Sequence, residues 1–391
     1  MKLIVLAKRF SWALLGRVFG AVVQALMLLL YARWSTVEEF GTTISLMTIS
    51  VVAYVITDVG FSPFTIVAYA KNENKKVESI FCYEKWVLIL TVVVLEIVFF
   101  TVGHLMMMLI PIWAAFEKRA DLWLCLAQAE GDNKKISYEI IKRRMLSLVV
   151  YISLVGMSIN NIYAFTGALL AGGVYSLWSV SKNNEVFLKS NDVSAICVLK
   201  ESVFYYINSI AAQMRNLDVP LVNLFGGNVQ GGMFAIVNRI ISPMTMVATS
   251  VSMVIMPAIT KKEIKGEKVV SLLFLTIVLS SIPIVVLYFF APYITLVVGS
   301  KYQHAVKLIE LTCLGLFFYS AANMFISVLQ GMSKAKVTAR VNIASSCLYI
   351  ILIPMVALKF GAIGSVWLLN AYFFILFLGN GLFVFREIGK D

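Results

Sequence analysis

The chain has 391 residues, 60% of them hydrophobic and 14% charged, with a formal net charge of +12. Soluble globular proteins carry about 25% charged residues, and no water-soluble core absorbs so much apolar side chain. The composition excludes a soluble enzyme and leaves an all-α polytopic membrane protein, in which apolar runs of roughly 17–25 residues cross the bilayer as helices.

Twelve such runs are predicted in chain order, at approximately 10–32, 40–61, 86–102, 105–128, 140–158, 161–181, 202–225, 229–257, 269–290, 307–329, 341–358 and 361–385. The first follows Lys2, Lys8 and Arg9, as the core of a signal peptide would. It is longer than such a core and no small-residue cleavage pattern ends it, so it is expected to stay as the first helix. The stretch 86–113 reads at first as one overlong helix. That reading leaves about eight apolar residues to return across the bilayer, too few to span it. A hairpin at Gly103–His104 restores two spans and places Glu117, Lys118, Arg119 and Asp121 in the middle of the fourth. Further on, Pro243, Pro257, Pro283, Pro292 and Pro354 interrupt helices of the second half.

Lysine and arginine alternate sides between these spans. Lys2, Lys8 and Arg9, then Lys71, Lys75, Lys76 and Lys85, then Lys134, Lys135, Lys142, Arg143 and Arg144 fall on one side. Lys182, Lys189, Lys200, Lys261, Lys262, Lys265, Lys268, Lys334, Lys336, Arg340, Arg386 and Lys390 follow on that side, while Arg33, Lys301, Lys307 and Lys359 fall on the other. The positive-inside rule then puts both termini in the cytoplasm. The basic balance is explained by loops beside an anionic leaflet, without any nucleic acid. A weak internal repeat aligns Glu38-Glu39-Phe40-Gly41 with Val229-Gln230-Gly231-Gly232, and Lys76-Val77-Glu78-Ser79-Ile80 with Lys268-Val269-Val270-Ser271-Leu272. Six helices per repeat makes the repeats parallel, so two six-helix lobes are expected, at 1–190 and 191–391.

With its Glu39-Phe40-Gly41, its Asp58-Val59-Gly60 and its near-absence of loops, the chain resembles the polysaccharide-transporter family. Within it, the pattern is similar to the Wzx-type O-antigen flippases of the multidrug/oligosaccharidyl-lipid/polysaccharide exporter (MOP) superfamily. The resemblance implies a MATE-like V shape with the first and seventh helices lining a central cavity. It also implies an undecaprenyl-pyrophosphate-linked oligosaccharide as cargo, moved from the inner to the outer leaflet.

A charge at the bilayer centre costs from about 3 to more than ten kcal/mol, so charged residues within spans mark pairing or function. In the first helix Arg17 shares a broad face with Gly20, Gln24 and Tyr31, and Gly16 and Gly20 form a small-xxx-small pair suited to close packing. In the seventh, Asn208 and Arg215 share a stripe flanked by Gln213, Asn216 and Asp218; in the eighth, Arg239 precedes Ser242-Pro243. Arginine's planar fork suits phosphate oxygens, so Arg17, Gln24, Asn208, Arg215 and Arg239 are expected to bind the substrate headgroup. Lys118 and Arg119 are expected to pair with acids of other helices. Asp58, Glu96, Glu117, Asp121 and Asp218 are candidates for coupling transport to an H+ or Na+ gradient, with Asp58 also suited to capping or pairing.

Five scattered cysteines and two turn histidines, His104 and His304, supply neither a disulfide framework nor a metal motif. No phosphate-binding Gly-Lys-Ser/Thr loop and no nucleophile–base constellation is present, which argues against an ATP-driven pump or an enzyme. No cofactor is expected. The expected function is a lipid-linked oligosaccharide flippase of a bacterial cytoplasmic membrane, its partners being the glycan lipid, membrane lipids and polysaccharide polymerase machinery. The alternatives are a cation-coupled multidrug or metabolite exporter of the same superfamily, or a membrane-embedded polysaccharide polymerase.

Overall fold

The computed structural model describes residues 2–182, 195–260, 267–332 and 334–388. Among them the helices are α1 (Lys2–Trp34), α2 (Val37–Thr57), α3 (Phe61–Ala70), α4 (Asn74–Thr101), α5 (Leu109–Glu130), α6 (Asn133–Gly156) and α7 (Asn161–Ser181). Then come α8 (Ala195–Met214), α9 (Asp218–Gly226), α10 (Asn228–Thr260), α11 (Glu267–Phe290), α12 (Ile294–Val298), α13 (Gln303–Gly331) and α14 (Ala335–Ile388). The second expected span, 40–61, is α2 and the turn after it, with α3 a further short helix in the stretch expected to be a loop, and the seventh is α8 and α9 joined by a 3-10 turn at Arg215–Leu217. The eleventh and twelfth are the two parts of α14, which breaks at Gly361 (φ 58°, ψ −145°). The all-α architecture and the twelve expected spans are therefore present, and the Gly103–His104 hairpin lies between α4 and α5, with Gly103 at φ +84°.

Each break has a local cause. Gly60 has φ +78° and Pro63 lies in the first turn of α3, so α2 ends at Thr57. Asp58 turns the corner: its carboxylate accepts from the Ser62 amide (3.4 Å) and hydroxyl (3.2 Å). In the seventh span Pro220 lacks an amide hydrogen and its ring opposes the carbonyl four residues earlier, that of Asn216. The α-helix stops at Met214 and restarts at Asp218. The expectation of an unbroken helix over 202–225 is corrected here, and Pro220 is the reason. α2 begins with a capping box, the Thr36 hydroxyl accepting from the Glu39 amide (3.1 Å) and the Glu39 carboxylate from the Thr36 amide (3.3 Å).

Large apolar side chains face outward along the spans. Trp86, Leu90, Val93, Val94, Ile97 and Phe100 are exposed on α4, and Ile351, Met355, Leu358 and Leu382 on α14. In water such contiguous patches would be a liability; in a bilayer they are the lipid-facing surface. Val37–Thr57, Ser281–Val298, Ser300–Gln330 and Lys336–Glu387 are each long and apolar enough to cross a membrane.

The chain folds into two compact units, Met1–Met27 with Leu46–Asn216, and Leu28–Ser45 with Leu217–Asp391. The lobe boundary expected at 190/191 lies outside the described residues. In the first unit Phe61, Phe64, Val77, Ile80, Phe81 and Trp123 form a buried core between α3, α4 and α5. α1 lies against α6 through the expected glycine pair: a Cβ at Gly20 would sit 2.7 Å from Ile140 Cγ2, and one at Gly16 would collide with Ser137.

In the second unit the start of α2 meets the start of α10 through Gly41 and Gly232. A Cβ at Gly41 would lie 2.8 Å from the Asn228 carbonyl, and one at Gly232 would collide with the Val37 carbonyl. Each glycine thus faces the carbonyl four residues before the other, the reciprocity of a local two-fold axis between the segments aligned in the repeat. Nearby, the Arg33 guanidinium donates to the carbonyls of Leu296 (2.8 Å) and Val297 (3.0 Å), and the Lys301 ammonium donates to the Arg33 carbonyl (2.9 Å) and that of Ser35.

Candidate functional site

The charges of the first unit converge on α5. Successive α5 residues point in different directions, about 100° apart, so its four charges are shared among three neighbours: the α2–α3 corner, α4 and α6. Lys118 reaches back to the α2–α3 corner, 3.3 Å from the Asp58 carboxylate and 3.0 Å from the Ser62 hydroxyl. Arg119 points at α4, where it binds Glu84, donates to the Phe81 carbonyl (2.8 Å) and lies 4.9 Å from the centre of the Phe81 ring. Glu117 faces α6, between Arg143 (3.4 Å) and Arg144. Asp121, one turn further, accepts a hydrogen bond from Arg143 (2.9 Å). Glu139, one turn before Arg143 on α6, is buried.

The expected inter-helix pairing of Lys118 and Arg119 is present, and so is the capping and pairing of Asp58. Sequence reasoning missed Glu84, Arg143 and Arg144. Glu84 lies just before the apolar run of the third span, and the two arginines sit in a basic cluster that reads as a cytoplasmic loop. Their signal was position: in α4 Glu84 falls on the buried stripe Glu84-Leu88-Thr91-Leu95-Phe99, four, three, four and four residues apart. The network is dry except at one edge, where the Asp121 side chain keeps 48% of its surface exposed.

Glu96 stands outside this network. It lies on α4 five residues before Thr101, closer to the end of the helix than its central position in the predicted span 86–102. Both its carboxylate oxygens are buried with no hydrogen-bond partner among the described residues. One turn and more below, the Thr91 hydroxyl donates to that of Thr57 on α2 (3.1 Å).

In the seventh span, Arg215 occupies the 3-10 turn and is half-buried, and the neighbouring Asn216 amide donates to the Gln213 side chain. Asp218 opens α9 and is buried, one oxygen accepting from the Val219 amide (2.6 Å) and the other from the Asn238 side chain of α10 (3.3 Å). Arg239 follows Asn238 and is half-buried, as is Gln24 on α1. The side chains of Arg17 and Asn208 lie outside the described part of the structure.

Among the described residues the chain is thus all-helical, with an ion-paired core in its first unit and a broken, Asn- and Arg-bearing seventh span. Residues 213–355 match the MatE family model, which spans less than half of the chain. No curated protein matches the chain in sequence.

Solved structures with the same fold cover nearly the whole chain. The lipid II flippase MurJ in an inward closed conformation is 16% identical, covers 96% of this chain and 87% of its own, and has a TM-score of 0.78. An inward-facing multidrug resistance MATE transporter of the MOP superfamily is 12% identical, with coverages of 97% and 95% and a TM-score of 0.70. A MOP superfamily transporter from Pyrococcus furiosus is 12% identical, with coverages of 98% and 96% and a TM-score of 0.68. The chain therefore has the fold of these solved structures.

Proposed function

We propose that the chain is a flippase of a bacterial cytoplasmic membrane, with both termini inside. Its cargo is an undecaprenyl-pyrophosphate-linked oligosaccharide for O-antigen or a similar surface polysaccharide, moved from the inner to the outer leaflet. The observation that carries this reading is the charge pairing of the first unit. Asp58, Glu84, Glu117 and Asp121 are each within 4.0 Å of a cationic side chain of their own unit. Those carboxylates are engaged, which disfavours a cationic cargo. The arginines in broken or polar spans, Arg215 and Arg239, are of the residue type that reads a pyrophosphate by paired hydrogen bonds. Arg17, Gln24 and Asn208 are proposed as further headgroup contacts. The similarity to a protein described as a lipid II flippase supports a lipid-linked cargo.

A second reading, a cation-coupled multidrug exporter, draws on the half-exposed Asp121 and on the similarity to a multidrug resistance transporter. Deletion of the gene separates the two. The flippase reading predicts accumulation of the undecaprenyl-linked oligosaccharide on the cytoplasmic side and loss of surface glycan, with unchanged sensitivity to cationic drugs. Normal surface glycan with increased drug sensitivity would overturn it in favour of the exporter.

A further inference from the structure

We propose that the exposed seam between α6 and α7, within the first unit, binds an anionic glycerophospholipid of the surrounding bilayer. The two helices are joined by the short turn 157–160 and run antiparallel. They approach closely at Gly172, where a Cβ would lie 3.1 Å from the Arg143 carbonyl. Along this seam the Lys142 ammonium lies over the Tyr138 ring, 4.2 Å from its centre, and the Lys182 ammonium over the Trp178 ring, 5.3 Å from its centre. Tyr175 connects the two pairs: it stands beside Lys142, and its ring centre is 6.3 Å from that of Trp178. Tyr138 and Trp178 are both exposed.

The antiparallel arrangement brings the two cations towards one level. From the contact of Arg143 with Gly172, Tyr138 is five residues away along α6 and Trp178 six along α7 in the same direction, about 8 and 9 Å. Side chains lean towards the N-terminus of their helix. Lys142 therefore leans towards the start of α6, over Tyr138, while Lys182 leans back along α7, over Trp178. Neither lysine is in a salt bridge among the described residues. Glu139, the acid within electrostatic reach of Lys142, is buried and acts on Arg143 as well. An aromatic face attracts an ammonium without cancelling its charge, so both cations can still take an anion.

Beyond the cations the seam turns apolar. Met145, Val149 and Ile152 follow Lys142 at three, seven and ten residues, on one stripe of α6, and Val174 precedes Trp178 by one turn of α7; all four are exposed. An occupant that satisfies the whole seam carries a negative head and an apolar tail on one molecule, which a soluble phosphate does not. Tyr and Trp are the residues that settle at the headgroup level of a bilayer, and lysines there draw anionic lipid. A phosphodiester held by Lys142 and Lys182, its glycerol against Tyr138 and Trp178 and an acyl chain along Met145 and Val149, fits this order of side chains. The inference is independent of the cargo.

The test is quenching of Trp178 fluorescence in vesicles containing the whole purified protein, taken as the difference between each protein and its Trp178→Phe counterpart. One set of vesicles holds phosphatidylglycerol brominated on its acyl chains in a phosphatidylcholine background; the other holds brominated phosphatidylcholine in a phosphatidylglycerol background. The expected result is that brominated phosphatidylglycerol quenches Trp178 at the lower mole fraction. The preference should fall about fivefold for each of Lys142→Gln and Lys182→Gln, and persist when both lysines are replaced by arginine. Equal quenching by the two lipids, a preference unchanged in the combined glutamine variant, or its loss in the arginine variant would overturn the proposal. Because the vesicles hold no cargo, this outcome is separate from that of the gene deletion, which tests the flippase reading.

Discussion

Glu84 and Arg119 illustrate what a buried pair does at the scale of a single residue. The Glu84 side chain keeps 1% of its surface exposed and that of Arg119 12%, so neither charge has water to fall back on. A pair of this kind contributes little net stability compared with apolar residues of the same shape, but removing one partner leaves the other buried and uncompensated, at about 3–5 kcal/mol. Glu84→Ala is therefore expected to lower the thermal unfolding temperature of the purified protein sharply, and Glu84→Met combined with Arg119→Met to recover most of the loss. Equal destabilisation by the single and double variants would show that packing around Phe81, rather than charge, governs the site. Lys118 and Arg119 were legible as pairing residues because their charges have nowhere else to go in a span. Their partners were not, since partners on other helices leave no spacing rule in the sequence.

Among helices, the Lys76–Glu201 pair joins the start of α4 to the start of α8 within the first unit, at 2.7 Å. Lys76 is part-exposed and Glu201 exposed, so water screens the pair, which is worth less than about 1 kcal/mol. The Lys76 ammonium holds the Glu201 carboxyl below its usual range, and Glu201 and Glu73 hold Lys76 above its own. A depressed acid stabilises the folded state above its unfolded value and loses that contribution as pH falls through the lowered folded value. A raised base contributes fully below its unfolded value and loses the contribution as pH rises through the raised folded value. The contact is thus constant through neutral pH and weakens in acid and in strong alkali. Hydrogen exchange of the amides in 196–201 should quicken in acid in the native protein, relative to the intrinsic rate, and already be quick at neutral pH in Glu201→Gln. Matching pH profiles for the two would contradict this. The helix starts around these contacts were not readable from apolar run length. The runs begin at 86 and 202, whereas α4 starts at Asn74 and α8 at Ala195, because polar turns before an apolar run also form helix. Gly103 did mark the end of α4. The break at Arg215–Leu217 was also written in the sequence, in Pro220, but a hydropathy run passes over a single proline.

For the whole molecule, the helical spans follow from composition and from the alternation of basic loops, because a bilayer admits so few solutions for a chain this apolar. The cargo is less legible, since headgroup and sugar contacts come from the same Arg, Asn and Gln types that hold helices together. The central claim is that an arginine-bearing break in the seventh span serves an anionic, lipid-linked headgroup. Its most direct measurement is the flipping of a fluorescent undecaprenyl-pyrophosphate-linked oligosaccharide in vesicles containing the purified protein, read by loss of fluorescence to an impermeant quencher. The account predicts protein-dependent flipping that falls at least about tenfold, the order of one lost charge-assisted contact, in Arg215→Ala protein that folds normally. Unchanged flipping in Arg215→Ala, or none by the native chain alongside transport of cationic drugs, would contradict it.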